Sequence, residues 1–174
     1  MSQPTEPPHQ QPPRPVGGEP LRPVTWYFED FQAGQVFRTQ GRTITESDLV
    51  MFAGWSWDTN PLHTDAVYAA TQRFEAPIAH GLLGMSVAMG LAARLGVFES
   101  CSIALLGVDR WRFLRPILVG DTVTCEVTIT GARPTSRGDA GVLDREFRLF
   151  NQDDELVQQG SIGLLVARAV RHGD

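Results

Sequence analysis

Residues 122–130 alternate polar and apolar side chains without a break, and no other part of the chain restricts the fold as strongly. Because successive side chains of a β-strand point to opposite faces, this pattern predicts a strand with one buried face. Residues 103–113, 142–150 and 157–166 also predict strands, and residues 151–154 predict a hairpin turn. The last third of the chain is therefore predicted to be consecutive strands, and the inner face of the strand at 122–130 consists of Val123, Cys125, Val127 and Ile129.

The part of the chain before these strands predicts one more strand and the start of a helix. The strand is predicted over residues 35–44. A helix follows it, with Thr45 as the N-cap and Asp48 at the reciprocal capping position. Further along, Asn60-Pro61 predicts a turn, because proline forces the residue before it out of the helical region.

Two more helices are predicted before the strands begin. Thr64 or Asp65 caps a short helix that runs through Ala70, and a central helix covers residues 81–95. The order of strand, helices and consecutive strands predicts an α+β fold, in which an antiparallel sheet has one face covered by the central helix. That helix can lie very close to the sheet, because small residues recur along it at spacings of three and four: Gly81, Gly84, Ala88 and Ala92.

The composition predicts one folded domain with a tail at each end. A chain of 174 residues, of which 42% are hydrophobic, can bury one core. Residues 1–23 are dominated by proline, glutamine and glutamate, so we expect a disordered tail that fold and activity do not need. The domain is then predicted at residues 24–168, followed by a flexible C-terminus at residues 169–174.

The charges and the cysteines restrict the partners and the compartment. A net charge of −5 disfavours nucleic acid, and the absence of lysine excludes Schiff-base chemistry. No apolar run reaches the ~20 residues that span a bilayer, so no membrane partner is expected. Cys101 and Cys125 stand alone in the sequence, without a disulfide framework or a secretory signal, which favours buried thiols in a reducing cytoplasm.

An acid and an imidazole lie close together on a stiffened segment. Asp58 and His63 flank Asn60-Pro61 and can hold one water between them, as general acid–base chemistry requires. Gly81 follows at the head of the central helix, where a free backbone N–H can stabilise an oxyanion. The histidines of the predicted folded body are His63 and His80, since His9 and His172 lie in the terminal segments.

Three motifs in this order make the chain similar to a known family. They are Asp58-x-Asn60-Pro61-x-His63, then 77–81 (Pro-Ile-Ala-His-Gly), then Arg-Pro at 115–116 followed by Gly-Asp at 120–121. The sequence resembles the MaoC-like dehydratases, which include the R-specific enoyl-CoA hydratases, from about residue 27 to residue 167. The resemblance implies a single hot dog domain, in which an antiparallel sheet wraps around a central helix.

The resemblance also implies a reaction and a set of site residues. The reaction is reversible hydration of a trans-2-enoyl-CoA to an (R)-3-hydroxyacyl-CoA, by a homodimer or dimer of dimers. Asp58 and His63 would bind the water and move its protons, with the order of proton transfer left open. Asn60 would shape the loop, the Gly81 N–H would receive the thioester oxygen, and Ser86 would lie near the site. No metal and no cofactor are expected, because coenzyme A is part of the substrate.

Other residues near the motifs carry more than one interpretation. His80 either orients the start of the central helix or acts directly in the reaction. Trp57 departs from the smaller residue that many family members carry there, which predicts a narrower pocket. Arginines at positions 110, 112 and 115 either meet the phosphates of coenzyme A or form a solvated face.

Rival functions remain at the same residues. A hot dog thioesterase could use Asp58 as its base with the same Gly81 oxyanion site, and a non-catalytic acyl-CoA-binding protein needs neither. His63 favours hydration, because adding water to a double bond needs two proton-handling groups. The segment His63-Thr64-Asp65 also resembles half of a two-histidine, one-carboxylate iron site, for which no histidine on a strand supplies the rest.

Overall fold

The computed structural model describes residues 25–169. The predicted tail at residues 1–23 and all but the first residue of the predicted C-terminal segment lie outside this range, as do His9 and His172. The helical elements are a 3₁₀ turn at Phe28–Asp30 and the helices α1 (Glu46–Ser56), α2 (Pro61–Thr64), α3 (Ala66–Ala70) and α4 (Gly81–Ala93). No helix in the described part is long and apolar enough to cross a membrane.

In the described part of the chain, six strands form one antiparallel sheet, which confirms the predicted α+β class. The strand order is β1-β4-β5-β6-β3, and β2 pairs with β4 beside β1. The four long strands, β3 to β6, are consecutive in the sequence, as predicted. Strand β5 pairs with its chain neighbours β4 and β6, and β6 pairs with β3, the first of the four. The strands are β1 (Val36–Arg38), β2 (Arg42–Thr43), β3 (Ser102–Phe113), β4 (Thr122–Pro134), β5 (Ala140–Phe150) and β6 (Leu156–Ala167).

The alternation that predicted β4 places its apolar side chains in the core. The predicted inner face is confirmed, because all four of its side chains are 0% exposed: Val123, Cys125, Val127 and Ile129. In the register of β4 and β5, Cys125 faces Leu149 and Val127 faces Phe147, so both strands supply the same apolar layer. The second cysteine, Cys101, is also buried, as predicted.

Helix α4 packs closely on this layer because its inner side chains are small. A Cβ on Gly84 would lie 2.2 Å from Nε2 of Gln158, a distance that no side chain tolerates. Ala88 is fully buried one turn further along. The predicted close approach of the central helix to the sheet is therefore confirmed at the middle of the helix.

Two local predictions are wrong, and both corrections have a physical reason. The strand predicted over residues 35–44 is two short strands, because the chain leaves the ladder after Thr39, whose Oγ1 accepts the Cys125 N–H at 2.9 Å. Asn60-Pro61 begins helix α2 instead of a turn. Oδ1 of Asn60 accepts the Leu62 N–H at 3.0 Å, and proline suits the first helical position, where its missing N–H needs no partner.

Candidate active site

His63 lies on α2 with one ring nitrogen committed to the backbone. Its Nδ1 is 2.7 Å from the carbonyl oxygen of Ile78. A carbonyl oxygen only accepts, so Nδ1 carries the proton, and the neutral ring presents a lone pair at Nε2. The half-buried ring is therefore held in the tautomer that a general base needs at its other nitrogen.

His80 connects the start of α4 to the backbone of Asp58. Its Nε2–H donates to the Asp58 carbonyl oxygen at 2.9 Å, and the side chain is 2% exposed. The His63 and His80 rings stack with their centroids 3.8 Å apart. One ligand-type atom from each of Asp58, His63 and His80 lies within 4.8 Å of the other two. The structure thus brings together three of the predicted site residues.

Asn60 shapes the loop between Asp58 and His63. Its side chain caps α2, and its own N–H lies 3.4 Å from Oδ1 of Asp58. The Asp58 N–H donates to Oγ of Ser56 at 3.2 Å, so the exposed Asp58 is tied on both sides by local hydrogen bonds. Its carboxylate keeps access to solvent and to an incoming water.

Gly81 stands at the first position of α4 with its N–H available. The N-cap His80 makes no side-chain capping bond, and within residues 25–169 no acceptor is found for the Gly81 N–H. A Cβ at this position would lie 2.9 Å from the Phe113 ring, so only glycine lets that ring pack against the helix start. The Gly81 N–H is therefore an unpaired donor at a helix start that the Phe113 ring contacts.

Sequence reasoning did not find the residues that fix this helix start. Nε2 of Gln158 donates to the Gly81 carbonyl oxygen at 3.2 Å, and Nε1 of Trp111 donates to Oε1 of Gln158 at 3.1 Å. Gln158 is 3% exposed, although it follows the buried Val157 in a strand that should alternate. The available signal was the phase of the strand, because Gln158 lies an even number of positions before the buried Ile162 and Leu164 and so falls on the inner face, where an amide needs specific partners.

Two cavities meet at His63. One of about 540 Å³ is lined by His63, Gly81, Phe113 and the two arginines Arg73 and Arg115. Another of about 530 Å³ lies under α1, where apolar side chains such as Leu49 and Val119 adjoin His63. The candidate base and the free helix N–H therefore border one space large enough for a small reacting group.

Of the three arginines whose role the sequence left open, Arg115 lines a cavity at His63, and the other two do not. Arg115 lines the cavity with His63 and forms an ion pair with Glu155 at 3.4 Å. Arg110 and Arg112 are exposed on β3 and do not line that cavity. Arg73, which the sequence analysis did not single out, joins Arg115, so the cavity presents two cations to an anionic group.

Ser86 and Trp57 do not line either of the two cavities at His63. Ser86 is exposed on α4, and its hydroxyl donates to the Leu82 carbonyl oxygen at 2.8 Å within the same helix. Trp57 ends α1 in the left-handed region with φ of 63°, and its side chain is 88% exposed. Neither residue lines the cavities at His63, so the narrowing predicted from Trp57 is not seen.

Asp58, His63 and His80 together form a set of ligands that a divalent metal can use. Two imidazoles and a carboxylate are common ligands of first-row metals. This set differs from the segment His63-Thr64-Asp65 considered in the sequence, because its carboxylate comes from Asp58 and its second imidazole from His80 at a helix start. Nδ1 of His80 is buried and has no hydrogen-bond partner among the described residues.

An antiparallel sheet packed on a central helix is the architecture of the hot dog fold. The family model described as "MaoC like domain" matches residues 30–145. The chain belongs to this MaoC-like family, and it is a hydro-lyase.

Individual relatives agree with this assignment. The chain is 40% identical to the (R)-specific enoyl-CoA hydratase of Rhodospirillum rubrum, over 66% of this chain and 76% of that protein. It superimposes with a TM-score of 0.78 on a monoamine oxidase regulatory protein of Archaeoglobus fulgidus, at 32% identity, covering 84% of this chain and 97% of that one. A Mycobacterium tuberculosis protein described as a double hot dog fold matches with a TM-score of 0.75 at 23% identity, covering 88% of this chain and 48% of that one, and shows the fold alone.

Proposed function

We propose that this protein adds water to a trans-2-enoyl-CoA to give an (R)-3-hydroxyacyl-CoA, or catalyses the reverse dehydration. The observation that carries the proposal is the position of His63, which lies close to Asp58 and also lines one cavity with Gly81, whose N–H is unpaired among the described residues. The name of the Rhodospirillum rubrum relative supports the substrate class and the stereochemistry.

In this mechanism Asp58 and His63 act on one water. The water oxygen forms a bond to Cβ, and the electrons of the double bond move toward the thioester to give an enolate. One of the two groups removes a proton from the water, and the other delivers a proton to Cα. His63 suits either step, because its Nδ1–H is held by Ile78 while Nε2 can accept a proton and return it.

Gly81 supplies the stabilisation of the enolate. Its N–H at the start of α4 is free to receive the thioester oxygen, where the partial positive charge of a helix N-terminus also favours an anion. One such donor is typically worth about 3 kcal/mol of transition-state stabilisation. Gln158 holds the carbonyl of the same residue, which belongs to the next peptide unit, and so fixes the first turn of α4 beside this N–H.

His80 and Asn60 act as positioning residues in the proposal. His80 donates to the backbone of Asp58, and Asn60 donates to its carboxylate while it caps α2. Arg73 and Arg115 line the cavity and suit the phosphates of coenzyme A, since arginine forms paired hydrogen bonds with phosphate. Coenzyme A would enter as part of the substrate, without a separate cofactor.

We also propose that the protein is a homodimer that pairs through β3. This strand is at one end of the sheet order, and its apolar side chains Ile103, Leu105 and Val108 are about half exposed. An edge strand with exposed apolar side chains is prone to pair with another chain. The cytoplasm is the compartment we propose, because two buried free thiols fit a reducing environment.

The test is a parallel assay of crotonyl-CoA and its saturated analogue, butyryl-CoA. We expect loss of the conjugated enoyl absorbance with crotonyl-CoA, an R-configured product, and no thiol release from butyryl-CoA. Thiol release from the saturated thioester without hydration would support the thioesterase instead. Elemental analysis of the purified protein should find no stoichiometric metal, and a metal whose removal abolishes hydration would overturn the metal-free mechanism.

A further inference from the structure

Arg145 is a buried cation on the inner face of β5. Its side chain is 2% exposed, and its guanidinium lies between two aromatic rings, 4.9 Å from the centroid of Phe98 and 5.2 Å from that of Phe147. Contacts of this kind attract a cation to the ring faces and restrict its movement. The side chain is thus held in one place inside an otherwise apolar layer.

The guanidinium has no anionic partner in the described part of the chain. Nε donates to the Ile162 carbonyl oxygen at 3.3 Å, whereas the buried Nη2 has no hydrogen-bond partner among the described residues. No ion pair of Arg145 is found within residues 25–169. Burial lowers the pKa of Arg145 to about 10, so the group remains charged at neutral pH. An unpaired buried charge is costly, and a ligand anion would offset that cost.

Arg145 lines a cavity of about 560 Å³ at the far end of α4. The wall around it is largely apolar, with Met89, Ala92, Leu105 and Leu164 among the lining residues. A cavity with an apolar wall and a single buried cation suits a ligand with a hydrocarbon body and an anionic end.

Helix α4 connects this cavity to the candidate active site. Gly81, Met85 and Met89 follow one another at spacings of four residues, so they share one face of the helix, and each is partly exposed. Gly81 borders the cavity at His63, and Met89 borders the cavity at Arg145. At a rise of about 1.5 Å per residue, Met89 and Ala92 lie roughly 12 to 16 Å along the axis from Gly81.

Strand β3 borders the same two places. Phe113 packs against Gly81 at one end, and Leu105 lines the cavity of Arg145 at the other. The partly exposed face of α4 and the strand β3 therefore both extend from the free N–H to the buried cation. Methionine side chains along this path are flexible enough to adapt to a hydrocarbon chain.

We propose that Arg145 binds a carboxylate at the distal end of the acyl chain, so that the protein prefers ω-carboxy-2-enoyl-CoA substrates. The inference rests on the proposed hydration, because it takes the thioester to lie at Gly81. An extended chain gains about 3.5 Å for three bonds, so spanning 12 to 16 Å takes roughly ten to fourteen bonds. The preferred substrate is then a medium-chain dicarboxylic acyl group.

Glu99 is the competing partner within the chain. It lines the same cavity, and its carboxylate is exposed on the loop after α4. If Glu99 neutralised Arg145 in solution, a substrate carboxylate would gain nothing at this site. A measured preference for carboxylated substrates therefore distinguishes an Arg145 that binds the substrate from an Arg145 that is neutralised by Glu99.

The test compares pairs of trans-2-enoyl-CoA substrates of equal length, with and without a terminal carboxylate, from six to sixteen carbons. We expect the ratio of kcat/KM for the two members to favour the carboxylate and to peak at about ten to fourteen carbons. In Arg145→Met this ratio should fall about 10²-fold or more, the scale for removing one partner of a buried charge pair. Arg148→Met, on the other face of β5, is the matched control and should keep the wild-type ratio.

Calorimetric binding of saturated acyl-CoA and ω-carboxyacyl-CoA gives a readout that does not depend on turnover. If no enoyl thioester is hydrated but the carboxylated ligand binds more tightly in an Arg145-dependent way, the proposed hydration fails and the Arg145 site stands. No preference for the carboxylate in the wild type, or the same ratio in Arg145→Met, overturns the Arg145 site. Should Arg145→Met not fold, Arg145→Lys keeps a charge without the planar guanidinium, and its ratio should still fall below that of the wild type.

Discussion

His63 and His80 bond backbone carbonyls through opposite ring nitrogens, and this difference separates their roles. His63 commits Nδ1 to Ile78 and leaves Nε2 for the reacting water, whereas His80 commits Nε2 to Asp58. The remaining Nδ1 of His80 is buried without a partner among the described residues. In the proposed mechanism His63 is therefore the imidazole that exchanges protons with the bound water, and His80 positions the loop that carries Asp58.

The contact between Gly81 and Phe113 leads to a prediction about the oxyanion site. In Gly81→Ala the new Cβ would displace the Phe113 ring, which now lies where that atom would be. We expect kcat/KM for crotonyl-CoA to fall about tenfold or more, since small displacements at a reacting centre are costly. Phe113→Ala removes the ring, so the double variant Gly81→Ala/Phe113→Ala should recover activity relative to Gly81→Ala.

Gly90→Ala is the matched control on the same helix. A Cβ at Gly90 has nothing within 4 Å, so this variant should keep its activity and gain about 0.5 to 1 kcal/mol of stability. Steady-state kinetics and thermal unfolding measure both effects. Wild-type kinetics in Gly81→Ala would show that the helix start does not hold the substrate.

The N-terminus of α1 makes a prediction about stability and pH. Burial raises the pKa of the Asp48 carboxyl, but hydrogen bonds from Thr45 and the charge of Arg42 outweigh it, so the net pKa lies below the usual value of 3.8. Asp48→Asn removes the charge that makes these contacts and should cost about 1 kcal/mol of unfolding free energy at pH 7. Glu46→Gln, an exposed acid in the same first turn, is the control and should cost less.

The sign of the pH dependence follows from the lowered pKa. A depressed carboxyl pKa contributes stability above the unfolded pKa, and this contribution is lost as the pH falls through the lower folded pKa. The stability difference between the wild type and Asp48→Asn should therefore be constant near neutral pH and shrink below a pH of about 4. Chemical denaturation at several pH values measures it, and a difference that persists unchanged at pH 2 to 3 would contradict the account.

Elements whose residues carry local signals were predictable from the sequence. The alternation at residues 122–130 located β4 and its buried face, and the Thr45–Asp48 pair located the start of α1. Both signals act through neighbouring residues, by strand geometry and by capping. The motif around Asp58 and His63 was also visible, since its spacing lies within one short segment.

Contacts between distant segments were not predictable from local patterns. Gln158 reaches Gly81 across 77 positions, and the cation–aromatic contacts of Arg145 involve Phe98 from the loop after α4. The residues next to Gln158 and Arg145 in the sequence do not indicate which distant residues these side chains contact. The break between β1 and β2 was missed for the same reason, because it follows Thr39, whose hydroxyl accepts the N–H of Cys125, 86 positions away.

At the scale of the whole molecule, the exposed strand β3 predicts the oligomeric state. The proposed homodimer should appear as twice the monomer mass in light scattering at micromolar concentration. Val108→Asp places a charge on the exposed face of β3, and the desolvation cost should weaken the dimer about tenfold or more. Val36→Asp, on the exposed β1 at the other end of the sheet order, is the control and should leave the dimer intact. A stable wild-type monomer would contradict the proposal.

Asp58 and His63 are proposed to act as one unit on a single water, and a double-mutant cycle in crotonyl-CoA hydration measures the coupling between them. Asp58→Asn keeps the size and removes the charge, and His63→Ala removes the imidazole. Each should lower kcat about 10²-fold or more, the scale for one positioned acid–base group. Because losing either group disables the unit, the double variant should be little slower than the slower single variant. Multiplicative losses, or near wild-type turnover in either folded single variant, would contradict this assignment.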